Sequence, residues 1–334
     1  MIQVIIPTYN RPECIKNILD YIVRYTGQLF KFWICDSSTN ECSRNIIQDK
    51  IDKSNIKTLK YFRYSSDTSV DKKVIHIINQ VDNEFFWVIG DGNIIDFEKL
   101  EVSLLENHYE NYDVLNLEPL HRFKRFKEKR QRQLNHIYDY HNNVIEYAIK
   151  YFSRLTYWGA AIIKTDFFKV NYTLGIIQKY IQNNNPWWIA CSIFEACAYD
   201  LTKKIDIRLG TAYSTSLFYN PAKKDHGWTG DIRYYEYVFT KFNQAIYLLP
   251  TYYDDIKDVL ISSFRNDTLA TYSYLLYLRS KGIVNLHYTK QYHKEINNIP
   301  GFYTRMVFYS LCPIGLAKIG QEMKKCLVSI LRKD

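Results

Sequence analysis

Glycine and proline are scarce in this sequence, 12 and 8 among 334 residues, and neither an internal repeat nor a low-complexity tract interrupts it. No G-x-G-x-x-G follows the first strand-like run, which excludes a dinucleotide-binding turn of the Rossmann dehydrogenase type. PTYNRPE, without a glycine, stands where a sugar-phosphate nucleotidyltransferase would carry a glycine-rich basic loop. The seven cysteines, at 14, 35, 42, 191, 197, 312 and 326, form no CxxC pair. That odd, scattered set argues against a disulfide framework and a zinc cluster, and for a reducing cytoplasm. His136 and His141 are five apart, the wrong spacing for paired zinc ligands on a helix. No window offers the run of about 18 apolar residues that a spanning helix needs. MIQVIIPTYN lacks the basic start and apolar stretch of a signal peptide, so none is expected.

Charge is present and unevenly placed. The net charge is +9, and RFKRFKEKRQR, from Arg122 to Arg132, sets seven basic residues against Glu128 alone. Such a cluster suits phosphate groups, or is simply a solvated face. Aromatics abound, with 30 Tyr and 18 Phe. The length allows one large domain or two moderate ones.

The first hundred residues alternate between two periods. QVII (3–6), LFKFWIC (29–35), TLKYFRY (58–64) and FFWVIG (85–90) read as strands. Residues 11–25, 43–51 and 70–81 read as helices, the first and last with apolar residues on one face. This predicts βαβ units and a mainly parallel sheet, whose ligands sit beyond the carboxyl ends of the strands. Pro7-Thr8-Tyr9-Asn10, Asp36-Ser37-Ser38, Asp67 and Asp91-Gly92-Asn93 fall there, and that rim is the candidate site. Further on, VLNLEPL (114–120) and YWGAAIIK (157–164) read as strands and PWWIACSIFEACAY (186–199) as a helix. Beyond about 230 the pattern is mostly helical.

VIIPTYNRPECIKNIL, the Asp36-Ser37-Ser38 strand end, the Asp91-Gly92-Asn93 turn after an aromatic strand, and WGAAIIK together resemble the GT-A glycosyltransferases of family 2. The resemblance implies a GT-A α/β fold over residues 1–220, with a nucleotide-binding half (about 1–100) and an acceptor half (about 101–220). A helical region at 221–334 would follow. It implies an enzyme moving a hexose from a UDP-sugar to a saccharide acceptor, lipid-linked, in bacterial capsule or exopolysaccharide synthesis. Pro7, Thr8, Tyr9 and Arg11 would line the nucleotide, Asp36 would accept from the uracil imide, Asp67, Lys72 or Lys73 and Gly92 would lie about the ribose and diphosphate, and Lys223 and Lys224 would pair the diphosphate directly. Asp91, Asn93 and His226 would hold Mn²⁺ or Mg²⁺. Asn93 replaces the family's second acid, which removes a charge from that set and leaves metal dependence open. An inverting displacement needs a base, for which the resemblance points to Glu195, then Asp200.

Trp187 and Trp188 suit either sugar stacking or core packing. In LAKIGQEMKKCLVSILRK, Leu316, Ile319, Met323, Leu327 and Ile330 share one helical face, with Lys318, Lys325 and Arg332 opposite. That fits an interfacial helix on an anionic inner membrane face, and equally a packed helix or homodimer contact. The rival readings are a catalytically silent GT-A partner subunit and a basic nucleic-acid-binding module. The second leaves the acidic strand ends without a purpose, so no nucleic acid is expected as a partner.

Overall fold

The protein is described by a computed structural model, covering residues 1–54, 58–119, 137–214, 216–223, 233–263, 272–297 and 301–330. The expected alternation forms over the first hundred residues. Strands β1 (Ile2–Thr8), β2 (Phe30–Asp36), β3 (Leu59–Arg63) and β4 (Phe85–Val88) are separated by helices α1 (Pro12–Arg24), α2 (Cys42–Ser54) and α3 (Val70–Asn79). Helix α1 opens on Pro12, where a missing N–H costs little, and buries Cys14, Ile15, Ile18, Leu19 and Ile22 as one stripe. Helix α3 is capped by Ser69, whose hydroxyl accepts from the Lys72 N–H at 3.3 Å.

Past β4 the chain uses shorter elements. These are β5 (Asn93–Ile95), α4 (Phe97–Glu106), β6 (Val114–Pro119), β7 (Ile137–Asp139), α5 (Val144–Leu155), β8 (Ala161–Lys164), α6 (Thr165–Thr173), α7 (Ile177–Gln182), α8 (Trp188–Thr202), β9 (Leu209–Ser214) and β10 (Leu217–Tyr219). One eight-stranded sheet results, in the order β3-β2-β1-β4-β8-β6-β9-β7. Its left half is parallel, whereas β8 runs antiparallel between β4 and β6. Two reversals restore direction, so β6 ends on the same rim as β1, β2 and β4. β5 and β10 form a separate antiparallel ribbon beneath that rim's Gly90–Asn93 turn.

Side-chain alternation along β1 divides the interior. Ile2, Val4 and Ile6 pack with Ile15, Leu19, Phe32 and Trp87, while Ile5 packs on the other face with Val74, Ile77 and Phe86. The second cluster runs without a break into the C-terminal helices, through Phe194, Tyr234, Phe239, Leu260 and Met306. The basic run 122–132 lies outside the described residues. Helix Ile314–Ile330 packs through Ala317 and Gly320, but Leu316, Ile319 and Met323 are 59%, 57% and 61% exposed. Phe308 and Leu311, on the preceding helix Phe302–Leu311, are also exposed. Among the described residues, no helix is long and apolar enough to cross a membrane.

One contact in the second half admits no side chain. A Cβ on Gly210 would fall 2.7 Å from Tyr112 Cδ1 and 2.8 Å from Ile137 Cγ2, both in buried rings and methyls that β9 cannot escape. Gly210→Ala should therefore cost about 1–3 kcal/mol through overpacking. The check is a lower urea midpoint with an unchanged slope.

Candidate active site

The rim is built on charged groups placed under the strand ends. Asp36, the last residue of β2, is 0% exposed. It accepts from Ser38 N (2.8 Å), Ser38 Oγ (2.5 Å), Tyr61 Oη (3.0 Å) and Arg63 Nη1 (2.6 Å). Arg63 also donates to Ser38 O at 2.6 Å, closing the loop after β2 onto β3. Asp36 thus sits inside the loop it was expected to project from, with each oxygen occupied by protein donors.

Lys73 lies 1% exposed beneath the same loops. Its Nζ donates to Thr8 O at 2.6 Å and Ser37 Oγ at 2.8 Å, joining the ends of β1 and β2 to α3. Burial pushes its ammonium down to about 8, against the opposing pull of Cys35, Asp36 and Asp91. Between the β1 and β2 loops, Asn10 takes a left-handed φ of 53° and its side chain accepts from Thr39 N at 2.9 Å.

Asp91, 3% exposed, accepts from Thr8 Oγ1 at 2.9 Å through one oxygen and from Arg11 Nη1 at 2.7 Å through the other. Asn93 turns the other way, its Nδ2 facing Trp158 O at 3.4 Å. Asn220, which carries no motif in the sequence, fixes the turn between them. Its N donates to Gly92 O at 2.9 Å, and its Nδ2 to Asp91 O at 3.1 Å and Cys14 O at 3.0 Å. Three residues on, Lys223 crosses Gly92 so closely that a Cβ there would lie 2.6 Å from Lys223 Cδ. Beside this crossing opens a hollow of about 570 Å³, lined by Asn10, Arg11, Pro12, Glu13, Cys14, Ala222 and Lys223.

Of the residues expected at the rim, the structure thus brings together Thr8, Arg11, Asp36, Lys73, Asp91 and Gly92. Pro7 lies buried in β1 and Tyr9 is 48% exposed on the turn, while Asp67 and Lys72 are exposed. Lys224 and His226 lie outside the described residues. Glu195 is elsewhere: 5% exposed on α8, it accepts from Tyr180 Oη at 2.6 Å and pairs with Lys179, both on α7. Asp200 lies near the far end of α8, its carboxyl pushed up by burial and by Asp113. Trp187 and Trp188 are core residues, 4% and 0% exposed. The Trp188 indole N–H donates to Asp71 Oδ1 at 2.8 Å, tying the start of α8 to that of α3. Burial pushes the half-buried Asp71 carboxyl up.

A divalent cation needs several converging oxygens with open lone pairs. Both Asp91 oxygens are engaged, Asn93 diverges from Asp91, and among the described residues no three His, Cys, Asp or Glu stand close enough to share an ion. The described residues therefore do not fit the expected metal set.

A lysine whose folded pKa lies near 8, below the unfolded value of about 10.4, binds fewer protons folded than unfolded between those pH values. Its contribution to stability rises across that window. The urea midpoint of the wild type should therefore gain on that of Lys73→Met as pH goes from 8 to 10; a fixed gap would contradict the burial argument.

A sequence model described as glycosyl transferase family 2 matches residues 3–170. No curated protein sequence matches the chain. Among solved structures, it is similar to a mannosyltransferase, PcManGT from Pyrobaculum calidifontis, solved with GDP-Man and Mn²⁺. The two share 12% identity at a TM-score of 0.53, over 97% of this chain and 87% of that one. S. aureus TarS 1–349 is similar at 14% identity and a TM-score of 0.49, over 92% of this chain and 90% of that one. With the parallel sheet, the rim and the family match in agreement, the chain belongs to glycosyl transferase family 2 and has the GT-A fold.

Proposed function

We propose that this glycosyltransferase moves a hexose from a UDP-sugar to a lipid-linked saccharide, with inversion, in the building of a bacterial surface polysaccharide. The observation that carries the donor reading is the hollow beside Asp91–Gly92, where the β1 turn, the start of α1 and Lys223 converge at the carboxyl ends of the strands. This is the place where a parallel sheet offers backbone and side-chain donors to a nucleotide. Single displacement at the anomeric carbon has the acceptor oxygen attack while the nucleoside diphosphate leaves from the opposite face, and one proton must be taken from the acceptor hydroxyl.

Two carboxyls compete for that proton. Glu195 is engaged by Tyr180 and Lys179 within the helical layer. Asp71 stands half-buried two residues before Lys73, accepts from the Trp188 indole N–H at 2.8 Å, and has its carboxyl raised by burial. We assign the base to Asp71 and a scaffolding role to Glu195. The test combines binding with turnover. UDP should raise the melting temperature by several degrees at about a hundredfold excess over Kd, more than dTDP or GDP does. Asp71→Asn should keep that shift and lose about 10²–10⁴-fold in turnover. Glu195→Gln should lower stability and leave turnover within a few-fold. No shift with UDP removes the donor reading, and the reverse result for the two carboxyls restores Glu195 as base.

The acceptor proposal draws on the C-terminal helices. Leu316, Ile319 and Met323 are exposed on the last helix, as are Phe308 and Leu311 on the one before it, and the sequence of that last stretch also carries Lys318, Lys324, Lys325, Arg332 and Lys333. An exposed apolar stripe in a lysine- and arginine-rich stretch suits the surface of an anionic bilayer on the cytoplasmic side. The protein should sediment with phosphatidylglycerol vesicles and not with phosphatidylcholine ones, and Ile319→Asp with Met323→Asp should abolish this. A dimer that those changes dissociate, with no vesicle binding, would overturn the membrane proposal.

A further inference from the structure

A donor diphosphate seated at the Asp91–Gly92 turn, the donor reading on which this inference rests, brings two or more negative charges that must be balanced. Among the rim groups expected to touch the donor, the two buried acids are already closed by guanidinium groups, Arg63 on Asp36 at 2.6 Å and Arg11 on Asp91 at 2.7 Å, while Asp67 is exposed. Lys73 adds a buried ammonium, and Lys223 a half-buried one over Gly92. Among the described residues, four cations thus stand against two buried carboxylates, Asp36 and Asp91, at the strand ends. Glu13, which lines the hollow, and Asp67 and Glu41 are exposed, where water and salt weaken their charge, and Glu41 is itself paired with Arg44 and Arg63.

A site that grips phosphate through a divalent cation needs carboxylate oxygens turned toward the diphosphate to hold the ion, and here both Asp91 oxygens are turned to Thr8 and Arg11. Here the one carboxylate at the turn orients an arginine, and the residue two positions on is an amide. We infer that this enzyme binds the donor's diphosphate directly through Arg11 and Lys223, with no divalent cation between. A guanidinium has five N–H donors in a planar fork, enough to serve a carboxylate and a phosphate oxygen together. Asp91 is then a positioning residue: it aims Arg11, with Thr8 holding its second oxygen. Lys223 lies on the other side of the turn, its ammonium 3.0 Å from where a Gly92 Cβ would be. Gly92 is what lets the lysine approach.

Calorimetric titration with UDP and UMP, in EDTA and again with Mn²⁺, tests this. UDP should bind in EDTA, with Kd moved less than about twofold by Mn²⁺. Lys223→Ala should weaken UDP about tenfold or more, as loss of a charged hydrogen bond does, and UMP much less. Arg11→Lys, which keeps the charge that Asp91 needs, should weaken UDP while the melting temperature holds. Binding that appears only with Mn²⁺, or a UDP affinity indifferent to both substitutions, overturns the inference and leaves the donor reading intact. Absence of UDP binding in either buffer removes both.

Discussion

A charge buried away from water is tolerable only when a partner of opposite sign or a set of hydrogen bonds replaces its hydration. The rim of this enzyme is organised by that requirement, applied to three side chains at the ends of neighbouring strands. Asp36, Lys73 and Asp91 are 0%, 1% and 3% exposed. Asp36 draws in Tyr61, Ser38 and Arg63, and so fixes the β2 loop against β3. Lys73 needs acceptors and takes the Thr8 carbonyl and Ser37 hydroxyl, which locks α3 to β1 and β2. Asp91 takes Thr8 and Arg11, which joins β4 to the first turn of α1. Loops that would otherwise be ordered only on binding a ligand, at a cost in affinity, are thereby already set.

The first half of the fold was legible because its elements are long and each has one clear period. The stripe Cys14–Ile15–Ile18–Leu19–Ile22 fits a helix and nothing else, and FFWV between polar turns fits a buried strand. β5, β7 and β10 escaped because three residues carry no period. β9 escaped because LGTAYS has little β-branched character; its pairing with β6 and β7 is decided by tertiary packing around Gly210. Helix α8 begins at Trp188, two residues later than the proline suggested, since Asn185 Oδ1 accepts from Trp187 N and holds that corner as a turn.

The site was legible in part, and the limit has one cause: sequence gives a charge's position and not its partner. Asp36 and Asp91 were found as acids at strand ends, and they are there. That each is closed by an arginine could not be read, because Arg63 lies 27 residues from Asp36 and Arg11 lies 80 from Asp91. Glu195 drew notice through the family resemblance, as an acid on the helix after WGAAIIK, yet its counter-charge, Lys179, sits on α7. Asn220 left no signal beyond a turn residue before Pro221, although its side chain reaches Asp91, Cys14 and Asn17. The apolar stripe Leu316, Ile319 and Met323 could be read from its helical spacing alone, but that these residues are exposed could not, because spacing does not say which face the neighbouring helices cover.

Asn220 also explains why Lys223 can matter to a ligand at all. A lysine on a loose loop loses rotamer entropy with every contact it makes. Here the backbone three residues before it is hydrogen-bonded to Gly92 O, the Asn220 side chain holds the Asp91 carbonyl and the Cys14 carbonyl of α1, and Ala222 N returns to Asn220 Oδ1 at 3.1 Å. The turn that presents the carboxylate and the turn that presents the lysine are therefore one hydrogen-bonded unit. Moving the Lys223 backbone away would require breaking bonds that also fix the Asp91 turn, so the lysine's point of attachment keeps its place beside Gly92.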